Sequence, residues 1–86
     1  MRKLTFTLYA WEDYLYWQLQ DKKTLKRINT LLKDIDRNGS KGIGKPEPLK
    51  DCDGCWSRRI DDVNRLVYRL SDYEIEIIQC KGHYTD

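Results

Sequence analysis

A single glutamate, Glu47, stands between two prolines, Pro46 and Pro48. Proline lacks a backbone donor and restricts the residue before it, so neither a helix nor a central strand is expected to run through this stretch. The sequence therefore predicts that Glu47 lies on a stiff loop, in or near an extended conformation. A carboxylate aimed by a rigid scaffold can act as a general base, although a solvated connection is the alternative for this motif.

Three arginines, Arg58, Arg59 and Arg65, fall in a predicted hairpin that follows this loop. Arginine suits phosphate because its planar fork donates two parallel hydrogen bonds and stays charged. Arg58 and Arg59 are adjacent, so they point to opposite faces of the sheet, and at most one is expected beside Arg65. Pairing with the nearby Asp61 and Asp62 is the alternative for these arginines.

Metal-free RNA cleavage is the reaction class that these side chains fit together. The 2′-hydroxyl needs a general base, the phosphorane needs fixed cations, and the departing 5′-oxygen needs an acid. The chain offers the following side chains for these roles: Glu47, then Arg65 with Arg59 or Lys50, and then His83 with Tyr84 beside it. His83 is the only histidine, and a lone histidine near a chain end is alternatively just solvated. The sequence contains no Walker loop or H-E-x-x-H motif.

The length of 86 residues predicts one domain over residues 1–86, with a modest core. The net charge is +2, and the cations are concentrated in residues 1–69, whereas residues 70–86 carry one basic and four acidic side chains. Such a balance is compatible with a nucleic-acid partner. No apolar run reaches membrane-spanning length, and the start shows a strand pattern rather than a signal peptide, so we expect a cytoplasmic protein with reduced thiols.

Alternating and helical hydrophobic patterns predict the elements of the first half. A first strand is expected over residues 3–9 and a short helix over residues 10–20, with Glu12 and Asp13 in its first turn. Asp21 is a good N-cap for a longer helix that ends near Arg37, before Gly39. The exposed face of that helix carries a row of cations, which fits either a phosphate backbone or an ordinary solvated surface: Lys22, Lys26, Lys33 and Arg37.

Strands predominate in the second half. Residues 39–53 read as a loop, residues 55–61 and 65–70 as a hairpin, and residues 74–80 as a last strand. The order β-α-α-β-β-β predicts a small α+β domain, with two helices packed on one face of a mainly antiparallel sheet.

Seven stretches, in this order, are similar to a known family: Asp13-Tyr14-Leu15-Tyr16-Trp17, Asp21-Lys22-Lys23, Lys26-Arg27-Ile28-Asn29, Gly42-Ile43-Gly44-Lys45-Pro46-Glu47-Pro48-Leu49-Lys50, Trp56-Ser57-Arg58-Arg59-Ile60, Arg65-Leu66-Val67-Tyr68 and His83-Tyr84. The sequence resembles the Txe/YoeB toxins of the RelE-like ribonuclease superfamily over nearly its whole length. The resemblance implies the microbial ribonuclease-like fold. It also implies an mRNA interferase that cleaves translated mRNA in the ribosomal A site, without metal or cofactor. The implied partners are the ribosome, a YefM-like antitoxin and often a second toxin copy.

The resemblance also implies a role for each matching residue. Glu47 matches the general base, Arg65 the phosphate-stabilising arginine, His83 the general acid and Tyr84 the tyrosine that helps to place the substrate. Two further residues match supporting cations near the phosphate: Lys50 and Arg59. The basic row on the long helix would then contact ribosomal RNA. The chain departs from the family in Cys55, where an aromatic residue is usual, and in Thr85 and Asp86, which follow the tyrosine.

Two further interpretations remain open from the sequence. Two pairs of residues have the spacing of a two-knuckle zinc site: Cys52-x-x-Cys55 and Cys80-x-x-His83. With zinc bound, His83 would be a ligand rather than an acid, and the protein would be a structural nucleic-acid-binding module. That spacing leaves Glu47 unexplained, and Cys80 also fits the inward-facing end of a strand. The other interpretation is a translation inhibitor that binds ribosomes without cutting.

Overall fold

The computed structural model describes residues 2–83, within which the chain forms two helices and a five-stranded sheet. In chain order the elements are β1 (Lys3–Phe6), α1 (Leu8–Gln20), α2 (Lys22–Asn38), β2 (Glu47–Pro48), β3 (Cys55–Arg59), β4 (Arg65–Leu70) and β5 (Glu74–Gln79). The strand order is β1-β5-β4-β3-β2, in which β1 runs parallel to β5 and the other neighbours are antiparallel. The predicted α+β class, with helices on a mainly antiparallel sheet, is confirmed.

The two helices begin at side-chain caps. The hydroxyl of Thr7 accepts a hydrogen bond from the backbone N–H of Ala10, so α1 starts at Leu8 and β1 ends at Phe6. The predicted first strand was therefore too long, and the expected acidic first turn of α1 is wrong because the helix starts two residues earlier. The cap of α2 is confirmed, since the Asp21 carboxylate accepts from two backbone N–H groups at the start of that helix.

The core lies between the helices and the sheet. Helix α2 contributes Ile28, Leu31 and Ile35, which are all fully buried and form an apolar stripe at helical spacing. The sheet contributes the following buried side chains: Leu66, Tyr68, Ile75 and Ile77. Full burial of one such aliphatic side chain stabilises the fold by about 1.5–3 kcal/mol. Among residues 2–83, no helix has the length and apolar character needed to cross a membrane.

The cysteines differ from the prediction of three reduced thiols. Cys52 and Cys55 form a disulfide, with their Cα atoms 5.3 Å apart, a separation that suits such a bond. Cys80 is fully buried, its Sγ donates to the backbone carbonyl of Ala10, and burial raises the pKa of its thiol to about 12. The zinc interpretation is wrong, because two of its four ligands bond to each other and the third faces the core. In residues 2–83, no cluster of three or more His, Cys, Asp or Glu side chains could hold a metal ion.

Candidate active site

The two-residue strand β2 carries Glu47 at the edge of the sheet. Glu47 pairs with Ser57, and Pro48 pairs with Trp56. The prediction of an unpaired loop missed this strand, because proline is tolerated where its missing N–H costs no ladder bond, as at a sheet edge. The Glu47 side chain is 64% exposed, so its carboxylate is open to a ligand.

The guanidinium of Arg58 holds the loop between α2 and β2. Its Nη2 atom donates to the backbone carbonyls of Gly39, at 2.8 Å, and Lys41, at 2.7 Å. Its Nη1 atom donates to the backbone carbonyl of Ile43, at 3.1 Å. Three carbonyls of one loop are thus bound by a single side chain, and the loop that leads to Glu47 is fixed in place.

Among the three hairpin arginines, Arg58, Arg59 and Arg65, Arg58 is the one with a structural role. Its side chain is fully buried, pairs with the carboxylate of Asp34 and donates from Nε to the Tyr68 hydroxyl. The Arg58 hydrogen bond is the main reason why the pKa of Asp34 lies below its ordinary value. A side chain at Gly42 would collide with the same carboxylate, so glycine is required there. The prediction that Arg58 binds a substrate phosphate is wrong, because its guanidinium has no access to solvent.

Arg65 and Glu47 meet on the sheet face opposite Arg58. The Nη2 atom of Arg65 lies 3.4 Å from Oε1 of Glu47, and its Nε atom donates to the hydroxyl of Ser57 at 2.8 Å. The Arg65 side chain is only 17% exposed, which restricts its motion. Sequence reasoning gave Ser57 no role, although its position two residues before Arg59 would have placed it on the same face as Arg59.

Arg59 lies directly across from Arg65 in the β3–β4 ladder. This confirms that only one arginine of the adjacent pair shares the face of Arg65. The alternative, pairing with the neighbouring acids, is realised only at the limit of hydrogen-bond range, because Nη2 of Arg59 lies 3.5 Å from Oδ1 of Asp62. Asp61 instead accepts the backbone N–H groups of the turn between the two strands.

Hydrogen bonds bring the segment that carries His83 to the side of Arg65. The backbone N–H of Arg65 donates to the carbonyl of Gly82 at 2.9 Å, and the Gly82 N–H donates to Oδ1 of Asn64 at 2.7 Å. The side chain of Gln79 donates to the backbone carbonyl of His83 at 3.3 Å. His83 therefore follows directly on a residue bonded to Arg65, and its exposed side chain remains available.

Helix α1 holds the same segment at Cys80, shortly before His83. The Cys80 N–H donates to Oδ2 of Asp13 at 3.0 Å, and Nε1 of Trp17 donates to the Cys80 carbonyl at 2.8 Å. Burial raises the pKa of Asp13, against the opposing effects of the Cys80 N–H and Lys81. The residues just before His83 are thus bound from both sides.

The other predicted site residues lie at the surface or beyond the described range. Lys50 is exposed shortly after β2. The predicted basic row on α2 is exposed at all four positions: Lys22, Lys26, Lys33 and Arg37. Tyr84, Thr85 and Asp86 lie outside the described residues.

This arrangement can accept a proton at one point and hold an anion beside it. Glu47 is an exposed carboxylate, and Arg65 is a guanidinium fixed by Ser57.

The sequence profile described as YoeB-like toxin of bacterial type II toxin-antitoxin system matches residues 6–84. The chain belongs to this family.

Individual YoeB proteins match nearly the whole chain. A Toxin YoeB from Streptomyces coelicolor is 54% identical over 83 residues, which are 95% of this chain and 99% of that protein. The structure of a YoeB dimer from Staphylococcus aureus has 53% identity and a TM-score of 0.91, and the match covers 96% of this chain and 98% of that one. A heterotetrameric YoeB-YefM toxin-antitoxin complex from Staphylococcus aureus contains a chain with 53% identity and a TM-score of 0.88, covering 98% and 99%.

Proposed function

We propose that this YoeB-like toxin is a ribosome-dependent endoribonuclease that cuts translated mRNA in the A site and so inhibits translation. The observation that carries the proposal is the contact between Glu47 and Arg65. It puts an exposed carboxylate 3.4 Å from an anion-binding guanidinium. That pairing suits a reaction in which a hydroxyl loses its proton next to a phosphate.

The proposed reaction needs no metal or cofactor. The Glu47 carboxylate takes the proton of the 2′-hydroxyl, and the oxygen so freed attacks the adjacent phosphorus. Arg65 and the neighbouring Arg59 stabilise the negative charge that develops on the phosphorane oxygens, with Lys50 in support. His83 donates a proton to the departing 5′-oxygen, and Tyr84 helps to place the substrate. The products are a 2′,3′-cyclic phosphate, or its 3′-phosphate, and a 5′-hydroxyl.

Dependence on the ribosome is consistent with the openness of this site. Glu47 and His83 are exposed, so an outside surface that fixes the message would supply the alignment that such a shallow site lacks. The basic row on α2 is proposed to contact ribosomal RNA, since a line of exposed cations can follow a phosphate backbone. A ribosome-directed enzyme of this kind acts in the cytoplasm.

The proposed protein partners follow from the relatives. A YoeB chain from Staphylococcus aureus forms a heterotetrameric complex with YefM, and a YoeB dimer from the same organism is known. We therefore expect a YefM-like antitoxin for this chain, which covers its basic face with acidic and apolar side chains, and a toxin dimer.

Primer extension on cellular mRNAs after a short pulse of expression tests the proposal. Wild-type protein should give cuts confined to translated regions, and Glu47→Ala should give none at equal protein levels. Growth arrest without cuts by the wild type would refute the nuclease and favour an inhibitor that binds ribosomes without cleaving.

A further inference from the structure

A cationic groove adjoins the candidate active site at the end of β3. It has a volume of about 300 Å³ and lies between the N-terminal half of α2, the loop before β2 and the β3–β4 turn. Arg27, Lys45 and Arg59 line it together with two acids, Asp61 and Asp62. Arg59 is shared, because it lines this groove and also lies across the ladder from Arg65.

Two backbone features place these cations at the groove. Nη2 of Arg27 donates to the backbone carbonyl of Arg59 at 3.2 Å, which fixes one cation to the strand that carries the other. Lys45 has a left-handed backbone, with φ of 52°. Such a conformation is uncommon for a side-chain-bearing residue and persists where the surroundings impose it. Arg58 binds three carbonyls of the loop that precedes Lys45.

The two acids leave a net positive charge in the groove. Asp61 is engaged by its own turn, since Oδ1 accepts from the N–H groups of Val63 and Asn64 at 2.8 and 2.7 Å. Burial would raise the pKa of Asp61, but the hydrogen bonds from the Asn64 side-chain amide and from these two N–H groups hold it below its ordinary value. Asp62 is fully exposed, and its Oδ1 atom lies 3.5 Å from Nη2 of Arg59, at the limit of hydrogen-bond range. An incoming anion can therefore displace Asp62 from Arg59 at small cost.

We infer that this groove binds a backbone phosphate of the single-stranded RNA substrate, next along the strand from the phosphate held at Arg65. The inference rests on the proposed function for its substrate. Because Arg59 lies across the ladder from Arg65 and also lines the groove, a strand whose scissile phosphate lies at Arg65 can pass Arg59 toward Lys45 and Arg27. The groove would therefore fix the direction of the strand across Glu47.

Binding of a non-cleavable probe tests the groove apart from the chemistry. The probe is a fluorescent RNA hexanucleotide with 2′-O-methyl groups throughout, measured by anisotropy from 50 to 200 mM salt with the free toxin. Lys45→Asn removes the cation, and asparagine tolerates the left-handed backbone. Lys3→Asn is the matched control, because Lys3 is an exposed lysine on β1, at the opposite edge of the sheet.

We expect Lys45→Asn to weaken binding about threefold or more and to reduce the slope of log K against log salt by about 0.7, the loss of one single-strand phosphate contact. Lys3→Asn should change neither quantity. Asp62→Asn should tighten binding, because it removes the competitor for Arg59. Equal affinities and slopes for wild type, Lys45→Asn and Lys3→Asn would overturn the inference, and so would absence of binding by the wild type up to millimolar protein.

Failure of the groove and failure of the nuclease give different results. If Glu47→Ala abolishes mRNA cuts while Lys45→Asn binds the probe like wild type, the groove is refuted and the nuclease stands. If Lys45→Asn loses the phosphate contact while the wild type makes no cuts, the groove stands and the nuclease is refuted. Thermal unfolding of Lys45→Asn shows whether this variant still folds, so that lost binding is not mistaken for a lost fold. A second variant, Arg27→Gln, removes another cation of the groove and is measured in the same way.

Discussion

Glu47 and Arg65 lie 18 positions apart in the chain, and their side chains meet at 3.4 Å across the edge of the sheet. The contact exists because β2 adds to the edge of β3 and places Glu47 opposite Ser57, which in turn binds Nε of Arg65. The three side chains form a chain of polar contacts that runs from buried Ser57 to exposed Glu47. The proposed proton transfer and charge stabilisation both depend on this relationship.

Replacing Glu47 by glutamine should lower the rate of cleavage by about 10²- to 10⁴-fold, the usual contribution of a general base. The exposed side chain contributes little to packing, so the thermal unfolding midpoint should remain that of the wild type. Glu76→Gln is the matched control, because Glu76 also pairs with an arginine, Arg69, at 3.2 Å, away from the site. Equal loss of cleavage in both variants would contradict a specific role for Glu47.

Ser57→Ala should lower kcat about tenfold or more and leave KM nearly unchanged, since a small misplacement of a catalytic group is costly. The variant removes the hydroxyl that holds Nε of Arg65 and leaves the charge in place. Ser57→Thr restores a hydroxyl and should recover much of the rate. Single-turnover kinetics on programmed ribosomes provides the test, and a change in KM alone would count against a positioning role.

The pair of Arg58 and Asp34 should make folding sensitive to acid. The pKa of Asp34 is lower in the folded chain than its ordinary value of 3.8, mainly because Arg58 donates to it. Its contribution to stability is therefore complete above pH 3.8 and is lost as the pH falls from there through the folded-state pKa. At pH 7, Asp34→Asn should lower the free energy of unfolding by about 2 kcal/mol, the scale of a hydrogen bond to a charged group.

Denaturant unfolding of wild type and Asp34→Asn at pH 7, 5 and 3 measures this effect. The difference between the two proteins should hold from pH 7 to 5 and shrink at pH 3. Asp36→Asn, at an exposed position of α2, serves as the control and should differ little from wild type at any of these values. A difference that does not change with pH would show that the ion pair is not the origin of the effect.

Thiol counting should distinguish the disulfide from the buried cysteine. Without reductant, the folded protein should give no rapidly reacting thiol at pH 8, because burial raises the pKa of Cys80 to about 12 and Cys52 is bonded to Cys55. After unfolding one thiol should react, and after reduction and unfolding all three. Three reactive thiols in the unfolded, unreduced protein would contradict the disulfide.

Local signals predicted much of the fold. The apolar stripe of α2 and its ends at Asp21 and Gly39 are properties of neighbouring residues, and they agree with the structure. The edge strand at Glu47 was missed because the prolines argue against a ladder, and only the partner strand shows that an edge position tolerates them. The start of α1 was displaced because the alternation of the first strand was extended past the Thr7 cap.

The candidate site was predictable in residue type but not in arrangement. The alternation of side chains along a strand puts Arg58 and Arg59 on opposite faces of the sheet, but it does not say which of them faces the core. That choice is made by Asp34, 24 residues earlier in the chain, which offers Arg58 a buried partner. Likewise, the binding of Gly82 by Asn64, which brings the histidine segment to Arg65, depends on a long-range contact.

The most direct test uses ribosomes programmed with an mRNA that carries one 2′-deoxynucleotide at the attacking position of the A-site codon. We expect the wild-type toxin to cut the all-ribose message, leaving a 2′,3′-cyclic phosphate and a 5′-hydroxyl, and not to cut the deoxy-substituted message at that bond. Cleavage of both messages at the same bond and rate would contradict attack by the 2′-hydroxyl, and with it the role assigned to Glu47.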